Sequence, residues 1–160
     1  MSMHDYFAEL YVAGRLADAG WNVYFPHRDH GFDFIITKNG ENGLPVIRPV
    51  QVKGKYPQGE KTDKTFYGFV GGLTQVHPEM VLAIPYFATS TETKPEFVAY
   101  MPYSQIRPHS RGYRCGPALF RGGEPVRRRD FTQYFDASGI RQLELNGWKD
   151  GVAPGAADKK

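Results

Sequence analysis

One cysteine, Cys115, occurs in the 160 residues. A single thiol cannot close an intramolecular disulfide, so the fold is not a disulfide-stapled one, and a reducing cytoplasm fits. Long apolar runs are also missing: no hydrophobic stretch approaches the length that spans a bilayer, so no membrane partner is expected. The amino terminus carries His4, Asp5, Glu9 and Arg15 where a secretory signal needs an apolar run. Neither G-x-G-x-x-G nor a phosphate-binding P-loop is present, and no nucleophile elbow marks a Ser/His/Asp hydrolase. Repeats, heptads and low-complexity segments are absent as well. With ordinary apolar content and many aromatics, the chain reads as one soluble, cytoplasmic domain rather than a disordered segment.

Net charge is low too, at +3, which by itself implies no nucleic-acid partner. Its distribution says more. Arg107, Arg111, Arg114, Arg121, Arg127, Arg128 and Arg129 lie in one stretch, with Glu124 the sole acid among them, and Lys53, Lys55, Lys61 and Lys64 form a second positive group. Clustered cations suit a polyanion. The plainer reading of a charge run is a solvated basic surface.

Periodicity places a helix over residues 3–20, ending at Gly20. Tyr6, Leu10, Ala13, Leu16 and Ala17 fall on its apolar face, Tyr11, Arg15 and Asp18 opposite, and Glu9 sits inside the apolar arc. Three strands follow, WNVYF (21–25), FDFIITK (32–38) and VIRPVQVKG (46–54), the last two joined by the turn KNGENG. A polar lysine loop (55–65) and a turn or short helix around GGLTQVHPE lead to strands at 80–87 and 96–103. The arginine-rich stretch shows only weak helical signals near 127–135, and 151–160 reads as a flexible tail. This order implies an α/β domain with a mixed sheet flanked by helices. It is a single domain over 1–150, with a core at 3–107 and a basic extension at 108–150.

Asp33 stands inside one apolar run, and Gln51 and Lys53 inside another. Unpaired charge is costly to bury, so these residues need partners. Side chains alternate along a strand, so Gln51 and Lys53 point the same way, and pairing of the two strands brings Asp33 beside them. The helix can lower Glu9 onto the same end of the sheet. Two carboxylates and an amide oxygen are hard ligands of the kind Mg²⁺ takes, and an adjacent ammonium can orient a water and offset phosphate charge.

These residues resemble the PD-(D/E)XK nucleases of the restriction-endonuclease-like superfamily, in the Holliday junction resolvase-like and Mrr-like branch with a Q-x-K variant. The resemblance covers roughly residues 3–54: Asp33 in GFDFII matches the metal-site acid, Gln51-Val52-Lys53 matches (D/E)XK, and Glu9 in FAELYVAGRLADAGWNV matches an acid on the first helix. It implies a core of helix, three-strand meander, helix or turn, and further strands. It also implies metal-dependent hydrolysis of DNA phosphodiesters, with Mg²⁺ or Mn²⁺ held by Asp33, Gln51, the Val52 carbonyl and Glu9. Lys53 orients the attacking water. Lys55, Lys61, Lys64, Arg127, Arg128 and Arg129 would hold backbone phosphates, and a homodimer or higher oligomer would supply two sites. Phe32 replaces the Pro of the family name, and Gln51 removes a carboxylate, so Glu9 has to bring the second charge.

Other readings stand beside this one. Asp33 can be a turn-adjacent acid, Gln51 and Lys53 a solvated strand end, and Glu9 a partner for an arginine. His27, Asp29 and His30 in HRDH suit a transition metal but lack a Cys/His framework, and His4-Asp5 is an HD pair without its second half. A catalytically inactive nucleic-acid-binding module of the same fold is the alternative function. An interaction protein whose buried polar cluster only specifies packing is the third.

Overall fold

The structure, a computed structural model, describes residues 3–28, 31–40, 42–57, 68–145 and 148. Helix α1 (Met3–Asp18) opens the chain. It stops in a Schellman arrangement: Gly20 takes φ +97°, its N–H donates to the Ala17 carbonyl (3.0 Å), and the Trp21 N–H reaches back to Leu16 (3.1 Å). Leu16 and Trp21 are both buried, which closes the cap with an apolar contact and turns the chain into the sheet.

The inward face of α1 carries Ala8, Val12, Ala13 and Leu16. Tyr6 and Leu10, expected inside, are 53% and 43% exposed. The face is turned by roughly a quarter turn from the one that side-chain size alone indicates. Alanine and valine allow close approach to the sheet, while the larger Tyr6 and Leu10 stay at the rim.

A five-stranded mixed sheet follows, ordered β1-β2-β3-β5-β6. Its strands are β1 (Asn22–Tyr24), β2 (Phe34–Asn39), β3 (Pro45–Val52), β5 (Val81–Tyr86) and β6 (Phe97–Pro102). Strands β1, β2 and β3 form an antiparallel meander, β3 pairs β5 in parallel, and β5 pairs β6 antiparallel. Strands β5 and β6 are buried along their whole length and read as continuous apolar runs. Pro49 falls within central β3, where a missing N–H is normally costly. Pairing with β5 begins only at Val50, so no β5 carbonyl waits for the Pro49 nitrogen.

Between β3 and β5 the described residues hold a short strand, β4 (Phe69–Gly71), and no helix. The basic stretch, where sequence shows only weak helical signals, instead builds two hairpins: β7 (Arg107–His109) with β8 (Gly112–Arg114), and β9 (Ala118–Arg121) with β10 (Glu124–Arg127). Strands of three or four residues are too short for a hydrophobic period to be read from the sequence. The β9–β10 turn is Gly122-Gly123, both at positive φ, as a two-residue primed turn requires. Strand β4 joins the first hairpin in the order β4-β8-β7. A 3₁₀ segment (Arg129–Tyr134) and helix α2 (Asp136–Gln142) then pack against β6. Among the described residues no helix is long and apolar enough to cross a membrane.

Two polar side chains are buried among the described residues, Arg48 and Gln51, both on β3. Arg48, which the sequence pattern does not single out, is 3% exposed. Its Nε donates to the Leu143 carbonyl (2.8 Å), Nη2 to the Leu145 carbonyl (3.2 Å) and Nη1 to Glu79 Oε2 (2.5 Å). The guanidinium also lies over the Trp148 ring at 5.7 Å. Burial pulls its pKa down and the Glu79 carboxylate pulls it back up. This one side chain ties the end of α2 to the sheet. Arg48→Met is expected to cost about 2–4 kcal/mol in urea unfolding, through the lost charge-assisted bonds. Hydrogen exchange should show the loss of protection concentrated at Leu143–Leu145; a uniform small loss would mean the guanidinium is not the anchor.

Candidate functional site

Strand β3 changes neighbours near its end, and this creates the site. Lys53 already donates its backbone N–H to Ala83 on the β5 side, at 3.0 Å. The Val52 N–H points to the other side, where β2 has not begun. Asp33, one residue before β2, supplies the acceptor: its own N–H bonds the Val50 carbonyl (3.0 Å) and its Oδ2 accepts the Val52 N–H (2.6 Å). The same Oδ2 accepts the Gln51 side-chain Nε2 at 3.0 Å. The carboxylate is thus positioned by two N–H donors at the strand end.

Gln51 is 7% exposed, and with its nitrogen on Asp33 its Oε1 is buried with no hydrogen-bond partner. Leaving such an acceptor unpaired costs about 1–3 kcal/mol. A hard cation or an N–H or O–H donor would satisfy it.

Around these groups lies a recess of about 250 Å³ lined by Asp5, Ala8 and Glu9 from α1 and by Asp33, Gln51, Val52, Lys53 and Gly54. The structure therefore brings together Glu9, Asp33, Gln51, Val52 and Lys53. It adds Asp5, which the sequence reading took only as half of an HD pair. The quarter-turn rotation of α1 explains the addition: at 100° per residue Asp5 falls between Val12 and Leu16 on the inward stripe, one turn before Glu9. The i, i+4 spacing was the available signal, hidden by the wrong choice of face. Tyr56, stacked on Phe87 at 4.5 Å, feels the same acid: burial first, and then the Asp5 charge, pushes its hydroxyl up to about 12.

Asp33, Glu9 and Asp5 offer carboxylate oxygens and Gln51 offers its buried amide oxygen, a donor set whose chemistry suits Mg²⁺ or Mn²⁺ with waters completing the shell. Among the described residues no three His, Cys, Asp or Glu side chains gather tightly enough to enclose a metal unaided. Val52 meets Asp33 through its N–H.

The cations expected to hold phosphates have separate fates. Lys61 and Lys64 lie outside the described residues, as do Asp29 and His30 of HRDH, while His27 is exposed. Lys55 does not extend into solvent: its Nζ donates to the Phe69 carbonyl of β4. Arg127 lies over the Phe97 and Phe135 rings (5.4 and 5.7 Å) and 3.9 Å from Asp136. Arg128 turns the other way, over Phe131 at 5.4 Å, with Nη1 donating to the Gly116 carbonyl (2.9 Å). Arg129 is exposed. The triplet is not one patch, because successive residues in an extended backbone face opposite sides.

Compared with known proteins, the chain matches no family model and no curated protein sequence.

Burial, reinforced by the neighbouring Lys53 charge, lowers the Lys55 ammonium to about 8. An unfolded lysine titrates near about 10.4. Below the folded value, about 8, both states are protonated and the full cost of burying the charge is present. From about 8 to about 10.4 the unfolded chain binds the extra proton, so stability rises with pH. Lys55→Met should remove that rise. Unfolding free energies of both proteins across this window test it, and parallel pH profiles would show that Lys55 titrates as an exposed lysine.

Proposed function

We propose that the recess hydrolyses phosphodiester bonds in DNA with Mg²⁺ or Mn²⁺ as cofactor, in the manner of the PD-(D/E)XK nucleases it resembles. The observation that carries this reading is the convergence of Asp33, the orphaned Gln51 oxygen and Lys53 at one strand end, with Glu9 reaching them from α1. Asp33 is held in one orientation by the Val52 and Gln51 N–H groups, so its carboxylate is placed without a further ordering cost. Glu9 and Asp5 bring the negative charge that glutamine in place of a carboxylate removes from β3. Lys53 carries a positive charge into the recess, where it orients a water and offsets the charge that grows on a phosphate under attack. Gln51 would offer its buried Oε1, which has no hydrogen-bond partner in the orientation that keeps its nitrogen on Asp33. Asp33, Gln51 and Glu9 would hold the cation, whose chemistry when bound would be Lewis-acid polarisation of the phosphate and a lowered pKa for water.

A second reading is a nucleic-acid-binding module of this fold without catalysis. The direct Gln51 Nε2–Asp33 bond favours it, since the two side chains already satisfy one another without a cation.

Lys53→Ala removes a charge most useful when the phosphate becomes more negative, so single-turnover cleavage should fall by at least about a hundredfold with DNA affinity nearly unchanged. Gln51→Glu should tighten Mg²⁺ binding and keep or raise the cleavage rate. Calorimetric metal titration and single-turnover assays on supercoiled, linear and branched DNA make the comparison. Metal-independent DNA binding, no cleavage and no gain in metal affinity with Gln51→Glu would leave the binding module.

A further inference from the structure

A second recess, of about 160 Å³, lies away from Asp33 and is lined by Arg107, Arg114, Arg128, Cys115, Gly116 and Phe131, together with Gln105. No carboxylate lines it, and among the described residues none of the three arginines forms an ion pair with an acid. Arg107 and Arg114 are direct cross-strand partners in the β7–β8 hairpin. Like charges opposite one another destabilise a strand pair unless something neutralises them.

Their positions are built rather than accidental. The Arg114 stem crosses Gly68 so closely that a Cβ there would meet its Nε at 3.0 Å and its Cγ at 3.2 Å. The Cys115 N–H fastens the same corner to the Gly68 carbonyl at 2.7 Å. Arg128 is oriented by its bond to Gly116 and by the Phe131 face, which leaves the rest of its planar fork available. Cys115 on the floor brings no competing charge, because burial pushes its thiol up to about 12.

We propose that Arg107, Arg114 and Arg128 form a phosphate-binding site. Three guanidinium forks match the terminal oxygens and double charge of inorganic phosphate or a phosphate monoester better than the two oxygens and single charge of a carboxylate. Strand β4 lies between this site and the strand end that carries Lys53. Lys55, two residues from Lys53, donates to the Phe69 carbonyl, and Phe69 is the cross-strand partner of Arg114. In a nuclease, the phosphate held here would be that of a nucleic-acid strand. That role rests on the nuclease reading; phosphate binding itself does not.

The test is titration of the full chain in EDTA with inorganic phosphate, pyrophosphate and one short single-stranded oligonucleotide carrying either a 5′-phosphate or a 5′-hydroxyl. Saturable phosphate binding is expected, weakened about tenfold by Arg107→Gln and by Arg114→Gln. Arg128→Lys should weaken it too, since charge without the planar fork is not enough, while Arg121→Gln outside the recess should leave it unchanged. Circular dichroism establishes that each variant is folded, and Arg114→Lys substitutes for any glutamine variant that is not. Preference for the 5′-phosphorylated strand identifies a strand end, equal binding of both strands an internal phosphate, and binding of the inorganic anions alone a small phosphate ester. No saturable binding of any probe, or an Arg121→Gln loss equal to that of Arg107→Gln, would overturn the site. Asp33→Asn should not affect phosphate binding in EDTA, so failure of the nuclease reading and failure of this site give different results.

Discussion

A buried backbone N–H in a central strand needs an acceptor, and the two neighbours of β3 do not run its full length. Strand β2 accompanies it as far as Val50, and β5 joins only from Val50 to Val52. The Val52 N–H is left facing the gap before β2, and a buried donor without an acceptor is costly. Asp33 fills that gap with a carboxylate. A structural requirement thereby fixes a negative charge at the strand end, next to a buried amide and a lysine. The polar residues that look misplaced in an apolar strand are there because the ladder changes partner at that point.

The other half of β3 carries the complementary device. Arg48 takes the place of an apolar core residue and uses its donors on carbonyls near the end of α2 and on Glu79. Burying a guanidinium is unfavourable unless its donors are used, and here all three kinds of nitrogen are engaged. The result is geometric: the C-terminal segment closes over the sheet in one position. The hairpins that precede it are held between this anchor and β4.

The cations of this chain illustrate why a charge count overstates what is offered to a ligand. Arg48 is structural, Lys55 binds a main-chain carbonyl, and Arg127 is spent on two aromatic rings and Asp136. Arg107, Arg114 and Arg128 converge with no acid among them. Each assignment depends on which carbonyl, ring or carboxylate the fold brings near.

Sequence by itself determined the first helix, the three-strand meander and the two apolar strands after it, because each has a local period or a continuous apolar run. Asp33, Gln51 and Lys53 were legible for a related reason: charged or amide groups inside strand-like runs must be partnered, whatever the partner. Glu9 stood out by the same logic within a helix. Tertiary structure alone decided which face of α1 turns inward, and with it that Asp5 joins the recess, since side-chain size does not reveal where the sheet demands small residues. It also decided that the arginine stretch folds as hairpins, that Arg48 is buried and that Lys55 is tethered. Strands of three or four residues carry too little periodicity to read. A cation's partner is a non-local contact, absent from the chain until distant segments pack.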